Sequence, residues 1–311
     1  MKKLVTLALV VMMVAMTACA SAATVGICQL VQHAALDQAT QGFKDALSEK
    51  MPDVEFDEQN ASGDAVNCAT IVNTFVSNGV DLIMANATPA LQAAVAATGD
   101  IPILATSITE YGVALGIDDF AGVTGMNVSG TSDLAPLSEQ AAMVKELFPD
   151  AKKVGLLYCS AEANSIYQVK VVSEELAALG YETEEFAFTD SNDVASVSAL
   201  AAGDCDVIYI PTDNTAAAYT ETIANEVIPA GVPVIAGEEG ICAGCGVATL
   251  TISYYDIGYA TGLMAYEILA NGADVSQMPI EYAPQFVKKY NPANIEALGL
   301  PVPEGYAAIG A

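Results

Sequence analysis

Tryptophan is absent from the 311 residues, histidine occurs once, and lysine and arginine together fill 10 positions against 38 acidic ones. Each scarcity closes off a class of function. A formal charge of -28 repels phosphate backbones and anionic headgroups, which excludes a nucleic-acid role. A single histidine leaves no second imidazole to share a metal ion, and the lone C-x-x-C at Cys242 and Cys245 has no second pair to complete a tetrahedral zinc site. No G-x-G-x-x-G or P-loop opens a helix, and no serine or cysteine nucleophile motif accompanies His33. Neither a cofactor nor a catalytic constellation is therefore expected, and the chain does not read as an enzyme. Without tryptophan the commonest stacking platform for a sugar ring is missing, and Tyr or Phe would have to replace it. Beyond residue 16 no run is apolar for long enough to span a bilayer.

What is present points to an exported α/β protein. A chain of this length has room for two domains, and 53% hydrophobic against 15% charged residues suits parallel sheets buried on both faces. Met1-Lys2-Lys3 followed by the apolar stretch Leu4 to Met16 has the charge and length of a signal peptide, spanning 1–22. Two cleavage readings stand side by side. Met16-Thr-Ala-Cys19 resembles a lipobox, with Cys19 lipidated, and Ala20-Ser-Ala22 fits an ordinary small-x-small site. The first is preferred, although Met16 occupies the usual leucine position. The mature protein is expected on the outer face of the cytoplasmic membrane, lipid-anchored, or in a periplasm. Of the remaining cysteines, Cys28, Cys159 and Cys205 sit in or beside apolar runs as small hydrophobes. Cys242 and Cys245 read as a local disulfide or two free thiols.

Short β-rich runs alternate with amphipathic stretches, the pattern of βαβ units, and the order repeats. Val25-Gly-Ile27 matches Val154-Gly-Leu156, Asp81-Leu-Ile83 matches Asp206-Val-Ile208, and Ile101-Pro-Ile103 matches Val232-Pro-Val234, all at spacings of 125 to 131 residues. The fold class that follows is α/β, with two doubly wound, Rossmann-like parallel-sheet lobes. Ligands of such sheets bind beyond the carboxyl ends of the strands. The loops there hold His33, Thr88, Thr106 and Ser107 in the first half, and Asn164, Ser165, Asp213, Asn214 and Glu238 in the second. Helix N-termini after Thr88 and Asn164 offer N–H groups to a carboxylate, and Asp213 or Glu238 an anion to an ammonium, so the ring suits a zwitterion. Thr88, Ser165 and Asp213 fit plain helix caps equally well, and Glu238 a solvated loop charge.

These residues resemble the ABC-type substrate-binding proteins of the tryptophan/tyrosine-binding TrpX class. The resemblance covers nearly the whole mature chain. It rests on Val25-Gly-Ile with His33-Ala-Ala-Leu-Asp37, Asn86-Ala-Thr-Pro89, Asn127-Val-Ser-Gly-Thr-Ser-Asp133, Glu162-Ala-Asn-Ser165, Pro211-Thr-Asp-Asn214 and Tyr254-Tyr-Asp-Ile-Gly258. The chain departs from the pattern at Gln32, Ala34 and Ile108-Thr-Glu-Tyr111. The resemblance implies a type I periplasmic-binding-protein architecture, with lobe one at 23–130 plus 256–283 and lobe two at 131–255 plus 284–311, joined by a multi-crossing hinge. It also implies a monomeric extracytoplasmic receptor that hands a small molecule, an amino acid and preferably an aromatic one, to the membrane permease of an ABC importer. Tyr254 joins the candidate ligand residues on this basis, with Tyr111 and Tyr255 as further aromatic wall. The alternatives are a sensing domain that signals through a separate membrane partner, and a ligand that is another amino acid or a sugar.

Overall fold

The computed structural model describes residues 22–310, so residues 1–21 of the expected signal peptide, Cys19 among them, lie outside the described residues. The first lobe opens with β1 (Thr24–Gln29), α1 (Ala34–Lys50), β2 (Glu55–Asn60), α2 (Ala65–Asn78), β3 (Leu82–Asn86), α3 (Thr88–Ala97), β4 (Ile103–Ile108), α4 (Tyr111–Leu115) and β5 (Val128–Ser132). The second lobe continues with α5 (Leu137–Leu147), β6 (Lys153–Cys159), α6 (Ala163–Ala178), β7 (Glu182–Phe188), α7 (Val194–Asp204) and β8 (Val207–Ile210). It then runs through α8 (Asn214–Ala218), α9 (Thr220–Ala230), β9 (Val234–Ala236), α10 (Glu239–Gly244) and β10 (Ala248–Thr251). The chain returns to the first lobe as α11 (Tyr254–Asn271) and β11 (Glu281–Tyr282). It ends on the second as β12 (Val287–Tyr290), α12 (Pro292–Ala297) and β13 (Ala307–Ala308).

Two sheets result, ordered β11-β5-β4-β3-β1-β2 and β13-β12-β10-β9-β8-β6-β7. All pairings are parallel except β10 with β12. Central strands such as β3, β4 and β8 are buried along their whole length, which explains their mostly apolar runs: helices cover both faces. The edge strands are different. Glu55-Phe-Asp-Glu-Gln-Asn60 and Glu182-Thr-Glu-Glu-Phe-Ala-Phe188 are mostly exposed, and their carboxylates deter pairing with another chain.

In each sheet the strand order reverses beside the first strand, between β1 and β3 and between β6 and β8. The loops leaving these four strands diverge there and open the crevice in which such sheets hold ligands. Three chain crossings join the lobes, after Ser132, before Tyr254 and between Tyr282 and Val287. The expected boundaries therefore shift slightly. Residues 131 and 132 pair within the first sheet, and residues 254 and 255 start the helix that packs on the first lobe, capped by Ser253, whose Oγ accepts from Asp256 N at 3.1 Å.

α11 docks on α1 at backbone-to-backbone distance. A Cβ added to Gly42 would overlap the Tyr255 carbonyl oxygen, one at Gly258 the Ala39 carbonyl oxygen, and one at Gly262 the Phe43 carbonyl oxygen. Only glycine allows that approach. The pair matters for the cleft, since α1 carries His33 at its N-cap and α11 carries Tyr254 in its first turn. Both groups are thus fixed to one rigid wall.

Candidate functional site

Between the lobes lies a chamber lined by His33, Leu36, Ser107 and Thr109 from the first lobe, Asp133 and Tyr254 from the crossings, and Asn164, Thr212, Asp213, Asn214, Ala217 and Glu238 from the second. Its free space is about 10 Å³, on the scale of one water. A wider hollow of about 910 Å³, the candidate mouth, shares Asn214 with the chamber and is flanked by Leu30, Val31 and Pro89 on one side and Ala161, Ala218 and Tyr219 on the other.

The second-lobe wall is assembled around Glu162. This buried carboxylate accepts from Asn214 N at 3.1 Å, Asn214 Nδ2 at 2.7 Å, Thr215 N at 2.9 Å, Thr215 Oγ1 at 2.8 Å and Asn164 Nδ2 at 3.2 Å. It fixes the loop after β6 against the start of α8. Asp213 works beside it: Oδ1 accepts from Ala216 N at 2.8 Å, which caps α8, and Oδ2 accepts from Cys159 N and Ser165 Oγ, each at 2.7 Å. With three bonds made, this carboxylate chiefly organises its neighbours. Burial, reinforced by Glu162, pushes its pKa up to about 7. Glu238 is 2% exposed and not the solvated loop charge that fitted its sequence position. It caps α10 by accepting from Gly240 N at 2.6 Å and from Ile241 N, and burial raises its pKa to about 7.

The opposite wall carries Asp133, which the loop argument did not single out as a ligand residue. Asp133 Oδ2 accepts from Tyr254 Oη at 2.9 Å, and burial raises its pKa to about 6. Ser107, at the carboxyl end of β4, holds φ at +58°, a conformation that costs a non-glycine residue on the order of 1–3 kcal/mol and that surrounding structure must impose. His33 extends across the gap, with Nε2 at 3.3 Å from Asn214 Oδ1. Asn214 Nδ2 donates to Glu162, so its Oδ1 is the acceptor and the imidazole donates through Nε2. Burial holds this ring below the usual histidine pKa, and in the neutral ring that donates through Nε2 the Nδ1 is a bare acceptor.

Buried polar atoms without a partner among the described residues gather here: His33 Nδ1, Ser107 Oγ, Asp133 Oδ1 and Asn164 Oδ1. Asn164 uses its Nδ2 toward Glu162 and toward Thr212 O at 3.0 Å, which leaves its oxygen facing the chamber. Three unpartnered acceptors and one unpartnered hydroxyl therefore belong to lining residues, beside the hydroxyls of Thr109 and Thr212, with no lysine in the lining and no arginine anywhere in the sequence.

Of the residues named from sequence, His33, Ser107, Asn164, Asp213, Asn214, Glu238 and Tyr254 line one chamber. Thr88, Thr106 and Ser165 do not. Thr88 begins α3 as a buried residue, Thr106 Oγ1 accepts from Thr131 Oγ1 at 3.0 Å inside the first lobe, and Ser165 serves Asp213. Tyr111 leaves the aromatic wall as well, since its hydroxyl is buried against Ala105 O and Thr131 O at 3.0 and 3.1 Å. Tyr255 sits on the outer face and donates to Asp45 Oδ2 at 3.0 Å. Cys242 and Cys245 are free, buried thiols that do not line the chamber.

A polar chamber closed by two hinged lobes defines a receptor that engulfs a small ligand. The chain belongs to the family described as ABC transporter substrate binding protein, whose family model matches residues 24–308. A tyrosine-binding protein of Clostridioides difficile (strain R20291) is 36% identical over 260 residues, covering 82% of this chain and 75% of the relative. The crystal structure of an ABC domain in complex with L-Trp from Streptococcus pneumonia is 31% identical, covers 93% of this chain and 99% of that one, and overlays with a TM-score of 0.88. The ligand-free, open structure of a substrate-binding protein with adhesive properties from Clostridium difficile is 36% identical, covers 92% and 99%, and overlays at 0.69. The fold is the type I periplasmic-binding-protein fold. The family is extracytoplasmic and, as a class, one of substrate-binding proteins and not enzymes. Its members supply a small molecule to an ABC permease. No helix among the described residues is long and apolar enough to cross a membrane.

Proposed function

We propose that this protein captures an aromatic amino acid in the chamber and its mouth, as a monomer tethered through Cys19 outside the cytoplasmic membrane, and delivers it to an ABC permease. The chamber carries the reading. Each buried polar atom left unpaired costs about 1–3 kcal/mol, and four of them converge, so the closed state is favourable when a ligand supplies the missing bonds. An ammonium answers the three acceptors, and Ser107 Oγ is the donor left for a carboxylate. Asp133, from the first crossing, takes the ammonium role in place of the fully engaged Asp213. The side chain then leads toward the mouth past Leu36 and Ala217.

The two overlays support this reading. The chain fits the L-Trp complex better than the open protein, although it is more identical in sequence to the latter, which supports a closed arrangement of its lobes. Closure coupled to occupancy is what an importer needs, because a ligand shifts such an equilibrium only by binding one state more tightly. The absence of tryptophan from the chain gives a direct test: titrated tryptophan is followed by its own emission, and tyrosine and phenylalanine by thermal shift. Saturable binding in the micromolar range or tighter is expected. Silence of all three at high micromolar concentration removes the aromatic ligand from consideration.

A further inference from the structure

The chamber presents far more to a cation than to an anion. Asp133 and Asn164 are 4% and 5% exposed, and each turns an unpartnered oxygen into it. His33 adds an unpartnered Nδ1 that is an acceptor in the tautomer fixed by Asn214. Asp213 and Glu238 complete the lining, and both favour a positive guest. A water fitting this space donates two hydrogens, whereas a primary ammonium donates three and brings the charge that three buried acids lack. On the anionic side stand only neutral hydroxyls, those of Ser107, Thr109 and Thr212. No basic side chain lines the chamber, and burial keeps His33 from serving as one.

Resting on the amino-acid reading above, we propose that the site recognises the primary ammonium of its ligand and not the carboxylate, so that primary aromatic amines, the decarboxylated counterparts of aromatic amino acids, are also ligands. Removing the carboxylate takes away a partner of neutral hydroxyls and a charge that three buried acids oppose. Removing the ammonium leaves three acceptors unanswered in a closed, low-dielectric space.

The test is calorimetric titration of the exported chain with three matched probes: tyrosine, tyramine and 3-(4-hydroxyphenyl)propionate, repeated with tryptophan, tryptamine and indole-3-propionate. The expected result is an amine dissociation constant within about tenfold of the parent amino acid, and no binding of either propionate at millimolar concentration. Amino acids that bind while both amines are weaker by about a hundredfold or more would overturn the proposal and leave the function intact. Amines that bind while the amino acids do not would sustain the proposal and overturn the amino-acid function. Silence of all six overturns both. Asp133→Asn, with its fold checked by circular dichroism, is expected to weaken tyramine by about tenfold or more. Unchanged affinity in that variant removes Asp133 from the ammonium site.

Discussion

Glu238→Gln isolates the energetic effect of a buried acid at the chamber wall. In the folded protein this carboxyl has a pKa near 7 against an ordinary 4.5, because burial outweighs the stabilising N–H bonds from Gly240 and Ile241, and neighbouring Glu239 and Asp133 add repulsion. A folded-state pKa above the unfolded one means that the native protein binds this proton more tightly. The corresponding stability is fully present below about pH 4.5, is lost as pH rises toward 7, and changes no further above that. Glutamine does not titrate and still offers an oxygen to the helix N-terminus. The stability of wild type relative to the variant should therefore fall by on the order of 3 kcal/mol between pH 4.5 and pH 8. Urea unfolding followed by far-ultraviolet circular dichroism at several pH values measures the gap, and equal m-values confirm that the same transition is compared. A gap that stays constant across the range would mean that the two helix N–H groups keep Glu238 ionised throughout, and the reasoning would be wrong.

Other perturbations address other parts of the molecule. Gly258→Ala drives a methyl into the Ala39 carbonyl and should cost about 2–3 kcal/mol in urea denaturation, whereas Gly99→Ala, where a Cβ meets nothing within 4 Å, should stay within about 0.5 kcal/mol; equal effects would deny the tight α1–α11 contact. Glu162→Ala strips acceptors from Asn214 and Thr215 and should lower stability by about 3 kcal/mol while weakening ligand binding; an unperturbed melt would refute its organising role. His33→Ala removes the side-chain bond to Asn214 and should shift ligand-free protein toward a larger radius of gyration in small-angle scattering, a shift of about 1 kcal/mol in the opening equilibrium. The six buried thiols should resist Ellman's reagent in the native state and react on unfolding, so rapid native labelling would contradict their placement.

The two-sheet architecture was legible because fully buried parallel strands leave apolar runs, and a duplicated order of runs leaves a duplicated lobe. β2 and β7 escaped the same reading, since acid-rich edge strands carry little hydrophobic signal. The chamber was partly legible. His33, Ser107, Asn164, Asn214 and Glu238 follow repeated strands, so topology alone brings them together. Asp133 belongs to a crossing outside the repeat, and its partner Tyr254 lies 121 residues away, a contact that no local pattern encodes. Thr106 and Ser165 illustrate the converse: the correct loop does not fix which way a side chain turns, and both spend their hydroxyls on bonds within their own lobes.

The close docking of α11 on α1 also sets the order in which the molecule can be built. Gly42 must wait for Gly258, and the second sheet waits for residues 287–308, so neither lobe is complete until the end of the chain has arrived. Contacts this distant in sequence form slowly, because the entropy of closing the loop is lost before they stabilise anything. The glycine contact that stiffens the binding wall is therefore also among the last contacts the chain can make.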